Sequence, residues 1–185
     1  GYTCGGLDYA KGFGSKLASR FGMKVLCCAY RLAPEHRFPC AVDDALEAYK
    51  YLISNGFKPK RIILCGESAG GGLCYSLCIK LSELDMEQPA GIIAISPWTD
   101  LTSSGQSYTD NADVDPSMTK ERLQLFADCY TDDKKNPLAS PLFFEDVKFP
   151  PSLIFVGSDE VMLDDARQMH EKLISTGSRS KLIEA

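Results

Sequence analysis

Apolar residues along this chain fall into two rhythms, and the two alternate. Continuous apolar, β-branched-rich runs at Met23–Tyr30, Arg61–Cys65, Gly91–Ser96 and Ser152–Val156 read as buried parallel strands. Between them, apolar residues recur at helical spacing. Phe13, Leu17 and Phe21 share a face over Asp8–Phe21, with Asp8 as a cap. Val42, Ala45, Leu46, Tyr49, Leu52 and Ile53 form a second stripe that stops at Asn55-Gly56. Leu73, Leu77, Leu81 and Leu84 form a third over Ala69–Leu84, and Leu163, Ala166, Met169 and Leu173 one more over Leu163–Thr176. Lys181-Leu182-Ile183 begins a further strand. Strands alternating with helices predict an α/β domain, a mainly parallel sheet covered on both faces. One stretch, Pro97 to Pro150, breaks the rhythm. It is rich in Pro, Asp, Ser and Thr, carries one helix near Thr119–Tyr130, and predicts an excursion off the sheet over its end.

The strand-to-helix junction Gly66-Glu67-Ser68-Ala69-Gly70-Gly71 is where chemistry enters. A Gly-x-Ser-x-Gly pattern is weak alone, but a strand before it and a helix after it define a nucleophile elbow. A serine on so tight a turn adopts strained backbone angles, and side chains two residues either side are expected to collide. The plainer reading is a glycine-rich turn of the kind that holds a phosphate, with Ser68 capping the helix. No Gly-x-x-x-x-Gly-Lys or Gly-x-Gly-x-x-Gly follows a strand, which favours Ser68 as a nucleophile.

Composition narrows the classes. With 185 residues the chain makes one domain with a sizeable core. The formal charge of −5 argues against nucleic acid and anionic membrane as partners. No apolar run approaches the ~20 residues that span a bilayer. Eight cysteines are present without Cys-x-x-Cys, and only two histidines, which argues against a zinc site and for reduced thiols in a cytoplasmic protein.

Three motifs together, Tyr30-Arg31-Leu32-Ala33-Pro34-Glu35-His36, the Ser68 elbow and Ser96-Pro97-Trp98-Thr99-Asp100-Leu101, resemble the hormone-sensitive-lipase family of α/β-hydrolases in order and spacing. The resemblance covers nearly the whole chain. It implies the α/β-hydrolase fold in one domain over 1–185, truncated at both ends, with a partial cap insertion at about 101–145. It implies hydrolysis of small or acyl carboxylic esters through an acyl-enzyme, by serine, acid and histidine, with no metal or organic cofactor. The oxyanion hole implied is the backbone N–H of Ala69 with a glycine loop of which Gly1 is the last member.

The triad order of this fold is serine, acid, histidine. The acid falls in Gly157-Ser158-Asp159-Glu160-Val161; a gap-free count against the family selects Glu160, with Asp159 as the alternative. The histidine is absent. His36 precedes the serine, and His170 lies on the apolar stripe of its helix, where packing is its expected role. The family's histidine comes in the loop after the next strand, just beyond Ala185, so the chain reads as a fragment, inactive on its own. Phe126, Tyr130 and Phe143 are candidates for an acyl-pocket wall, with packing as the plainer role. Glu67 reads as a surface charge or an anchor, and Tyr108 and Asp110 as a solvated loop. Two other functions use the same scaffold: a ligand receptor that has lost its histidine, and an amidase or acyltransferase. The family's strand order further predicts that Arg61–Cys65 pairs with Gly91–Ser96 and the latter with Ser152–Val156, while Met23–Tyr30 is left apart or pairs directly with Arg61–Cys65.

Overall fold

A computed structural model describes all of residues 1–185. Its helices are α1 (Leu7–Phe21), α2 (Cys40–Ser54), α3 (Ala69–Glu83), α4 (Ser107–Asp110), α5 (Lys120–Tyr130) and α6 (Leu163–Ser175). Its strands are β1 (Ile63–Glu67), β2 (Gly91–Ile95), β3 (Ser152–Val156) and β4 (Ser180–Glu184). They form one parallel sheet in the order β1-β2-β3-β4. Both expected strand pairings are present, and the Lys181–Ile183 run is an outer strand against β3.

The period-two geometry of the strands sorts their side chains. Leu64, Ile92, Ala94, Ile154, Val156 and Leu182 point to one face, where α3 and α6 cover them. From α3 come Cys74, Tyr75, Cys78 and Ile79; from α6, Leu163, Ala166, Met169 and Leu173, the stripe legible in the sequence. Leu142, Phe144, Val147 and Phe149 fill the space between these helices, with Phe144 edge-on to Phe149 at 4.7 Å between centroids. On the other face, Ile63 and Cys65 are exposed. Helix α2 packs on the outside of α3 through Leu46, Tyr49, Leu77 and Leu81. Its end follows the sequence: Asn55 is the C-cap and Gly56 has φ +83°.

Three local readings are corrected. Residues 23–30 are not a strand. No backbone hydrogen bond joins them to another element, and Met23, Val25 and Leu26 are exposed. An apolar β-branched run becomes a strand only beside a partner whose N–H and C=O groups it can meet, and β1 presents that edge to no neighbour. Asp8 lies in the first turn of α1, whose N-cap is Gly6. Tyr108 is not in a solvated loop: it lies on α4, only 1% exposed. Asp110, its neighbour, is at the surface and accepts from Gln106.

The insertion closes over the carboxyl ends of the strands. Trp98, Leu101, Tyr108, Leu123, Ala127 and Tyr130 build a second core against the start of α3 and the loop after β3. At its centre Tyr130 stacks on Tyr2, with centroids 3.9 Å apart and planes within 4°. The Pro34–Arg37 loop is bolted to the same region: Arg37 donates to the carbonyls of Cys129 and Asp128 at the end of α5 and forms an ion pair with Asp132. A cation there satisfies carbonyls that the helix terminus leaves open.

Candidate active site

Ser68 stands between β1 and α3 with φ 54° and ψ −121°, a conformation that L-residues rarely adopt. The strain is held from both sides. Its N–H donates to the Ile95 carbonyl at 2.9 Å, and its carbonyl accepts from Gly72 and Trp98 at 3.1 and 3.0 Å. The glycines explain why this turn closes, though not quite as the pattern suggested. A side chain on Gly66 would overlap the backbone of Gly70, and one on Gly72 the carbonyl of Trp98. On Gly71 it would lie 2.9 Å from Pro97 Cβ, whereas on Gly70 it would meet nothing within 4 Å. The expected collision at Gly70 is therefore absent; the tight positions are 66, 71 and 72.

Ala69 opens α3, fully buried, and its N–H lies in the first turn, where no earlier helical carbonyl can accept it. Gly1 is exposed, and its carbonyl accepts from the Tyr30 hydroxyl at 3.3 Å. Glu67 accepts a 2.5 Å hydrogen bond from Tyr9 of α1. It is thus an anchor point for that helix, at the surface.

The two acidic candidates separate cleanly. Asp159 is exposed and makes no side-chain hydrogen bond. Glu160 is half-buried and turned inward. Its Oε1 accepts from the Ser96 hydroxyl at 2.7 Å and from the Gly157 N–H at 2.7 Å. Its other oxygen, Oε2, takes no protein donor. The strand register brings this carboxyl and Ser68 to the same rim: Glu67 pairs with Ile95 and Ile95 with Phe155, so Ser68, Ser96 and the Gly157 loop end three successive strands. Two strand spacings separate the outer pair, about 10 Å of backbone, a span that two side chains and an imidazole can bridge.

Neither histidine is at this rim. His36 is exposed in its loop. His170 hydrogen-bonds through Nδ1 to Ser180 Oγ at 2.8 Å, and Ser180 begins β4, beside Ser152. That is the amino end of the sheet, four residues or roughly 13 Å from the carboxyl rim. Ala185, in contrast, lies against the Glu160 loop: its N–H donates to Val156 and its carbonyl accepts from Ser158. Tyr130, a candidate pocket wall, is core; Phe126 and Phe143 are half-buried, Phe126 packed against the second core.

These observations, a strained serine at a strand–helix turn and a tethered carboxyl two strands away on a parallel sheet, match comparisons with known proteins. A family model described as alpha/beta hydrolase fold matches residues 1–185. The chain belongs to the α/β-hydrolase family. An esterase of Acinetobacter venetianus is 39% identical over 174 residues, 92% of this chain and 57% of that protein. An acetyl-hydrolase of Streptomyces hygroscopicus is 36% identical over 179 residues, 96% of this chain and 60% of that one. The crystal structure of an esterase from the bacterial hormone-sensitive lipase family superposes with a TM-score of 0.96 at 39% identity, covering 99% of this chain and 62% of the other. The resemblance to that family therefore holds, and the chain spans about three-fifths of the length of these relatives.

Several residues that shape this α/β-hydrolase site were not singled out from the sequence. Ser96 has φ +44° and holds the Glu160 carboxyl. Asp165 is buried, and its Oδ2 accepts from the N–H groups of Thr99 and Asp100, each at 2.9 Å, fixing the start of the insertion to α6. Burial pushes its pKa up to about 8, against the hydrogen bonds from Asp100 and Thr99 and with the help of the nearby Asp100 carboxylate. Asp115 shows the opposite balance. Burial raises it, but the N–H groups of Val161, Met118 and Ser117 outweigh that and hold it below the usual carboxylate range. Ser96 stands at the head of the Ser96–Leu101 motif, and Asp115-Pro116-Ser117 is a turn signature; Asp165 carried no comparable signal. No three His, Cys, Asp or Glu side chains converge as a metal-holding group, and no helix is long and apolar enough to cross a membrane.

Proposed function

We propose that this chain is the nucleophile-and-acid portion of a serine carboxylic ester hydrolase. The observation that carries the reading is Ser68, held at φ 54° on the carboxyl rim two strands from a carboxyl with one oxygen pinned. In the mechanism, an imidazole takes the Ser68 proton as Oγ attacks the ester carbonyl. Glu160, through Oε2, orients that imidazole and stabilises its charged form. The N–H of Ala69, with that of the Gly1 loop, receives the oxyanion; one such donor is worth about 3 kcal/mol. The alkoxide leaves with the proton, and water, deprotonated by the same imidazole, releases the acid and frees Ser68.

The position of Ala185 against the Glu160 loop supports a histidine entering from the segment after β4, as in the family pattern. The acid is Glu160 rather than Asp159 on this reading, because only Glu160 faces the rim. The insertion at about 101–145 serves as a cap whose lower part, from Leu142 on, belongs to the main core. Substrates are small or acyl esters, in keeping with the esterase and acetyl-hydrolase among the relatives. The eight free cysteines support a reducing, cytoplasmic setting. In the full-length protein, Ser68→Ala abolishes hydrolysis of a short p-nitrophenyl ester while the circular dichroism spectrum is kept. Substantial residual turnover in that variant removes Ser68 from its role.

A further inference from the structure

The loop bearing Glu160 takes its shape from the insertion as much as from the sheet. Asn111, which caps α4, donates through Nδ2 to the carbonyls of Ser158 at 3.0 Å and Glu160 at 2.8 Å. Asp115 accepts the Val161 N–H at 2.8 Å on Oδ2. Its other oxygen is held by the Ser117 N–H and hydroxyl and the Met118 N–H, so the side chain cannot swing away from Val161. The carbonyl of Glu160 and the N–H of Val161 are the two edges of a single peptide plane. Asn111 grips one edge and Asp115 the other. A plane held on both edges cannot rotate, and its orientation sets the direction in which the Glu160 side chain leaves the backbone.

We propose that Asn111 and Asp115 are positioning residues for the acid, so that the insertion sets the geometry of the triad. The proposal rests on Glu160 being that acid. Neither residue faces the reacting atoms; both act through the Glu160–Val161 peptide, and a displacement of 1 Å in such a group costs on the order of 100-fold in rate.

The test is a double-mutant cycle in the full-length enzyme, with a p-nitrophenyl ester as substrate. Asn111→Asp keeps the side chain's size but replaces its donor with a carboxylate facing two carbonyl oxygens. It lowers kcat roughly 10- to 100-fold with little change in KM. It also moves the acidic limb of the kcat/KM profile to lower pH, because a misdirected carboxylate no longer stabilises the imidazolium. In a Glu160→Gln background the same change costs nothing further. Asp115→Asn, which keeps one acceptor oxygen, is read in the same way should Asn111→Asp fail to fold. An equal loss in both backgrounds, or a lowered Tm with unchanged kcat and pH profile, overturns the proposal. A Glu160→Gln enzyme that keeps its rate overturns the acid assignment and this proposal with it; a slow Glu160→Gln enzyme beside a fully active Asn111→Asp overturns this proposal alone.

Discussion

The Ser96 hydroxyl donates to Glu160 Oε1 at 2.7 Å, from a residue whose own backbone is left-handed, φ +44°. Ser96 ends the strand between the one that carries Ser68 and the one that precedes Glu160, so a single side chain couples the middle of the rim to its acidic side. A hydrogen bond to a charged group contributes roughly 1.5–3 kcal/mol, which for a group fixing a triad acid corresponds to about 10- to 100-fold in rate. Ser96→Ala and Ser96→Gly are both expected to lose that much kcat/KM. Only Ser96→Gly relieves the positive φ, so its Tm exceeds that of Ser96→Ala. Loss of activity in one of them alone would mean that the backbone, not the hydroxyl, matters there.

The acid assignment makes a ranking. Glu160→Gln removes the charge and the tautomer control that a triad acid supplies, a change worth about 10⁴-fold in kcat, whereas Asp159→Asn, at an exposed position without partners, leaves the rate near that of the parent. Steady-state kinetics of the two variants side by side decides it. The reverse ranking assigns the acid to Asp159.

At the elbow, the glycines divide. Gly66→Ala and Gly72→Ala each drive a methyl group into backbone that cannot move aside, and both lower Tm sharply or prevent folding. Gly70→Ala meets open space and folds normally, with Ala favoured over Gly inside a helix by about 1 kcal/mol. Thermal melts of the three variants, measured together, check this contrast; a Gly70→Ala variant as damaged as the other two contradicts it.

Most of the architecture was legible in the sequence because it is periodic. The stripes on α2 and α6, Leu73, Leu77 and Leu81 of α3 and one face of β2 and β3 bury what their spacing says they bury, whereas Leu84 and, on β1, Ile63 and Cys65 are exposed. Met23–Tyr30 is left apart from β1, one of the two outcomes the family's strand order allowed, but it is no strand, because a strand is a relation between segments and an apolar run without a partner does not form one. The elbow was legible because tight backbone geometry requires small residues in a fixed order. Asn111 was not: a lone polar residue in an aperiodic loop reaches Ser158 and Glu160 only after the insertion folds back across some fifty positions. Tyr108 was misread for the same reason, since burial inside an irregular segment leaves no period to read.

Buried Asp165 gives stability a pH dependence. In the folded protein its pKa is pushed up to about 8, from an ordinary value of 3.8. Between those values the folded state holds a proton that the unfolded state has released. This contribution is therefore fully present below pH 3.8 and is lost as pH rises through 8. Asp165→Asn keeps an acceptor for the Thr99 and Asp100 N–H groups without titrating. The stability of the parent relative to this variant, from urea unfolding, falls between pH 4 and pH 8. A difference that stays constant over that interval would show Asp165 to be ionised throughout.

The central claim is that Ser68 becomes covalently acylated. It is tested most directly by incubating the full-length protein with a p-nitrophenyl phosphonate, which mimics the ester and cannot be released by water, and mapping the adduct by peptide mass spectrometry. The account predicts one phosphonyl group per chain on the peptide containing Gly66-Glu67-Ser68-Ala69-Gly70, located on Ser68, with loss of esterase activity in proportion to labelling and no adduct in Ser68→Ala. Ester turnover that persists after Ser68 is fully labelled, or an adduct on any other residue that alone tracks inactivation, would contradict it.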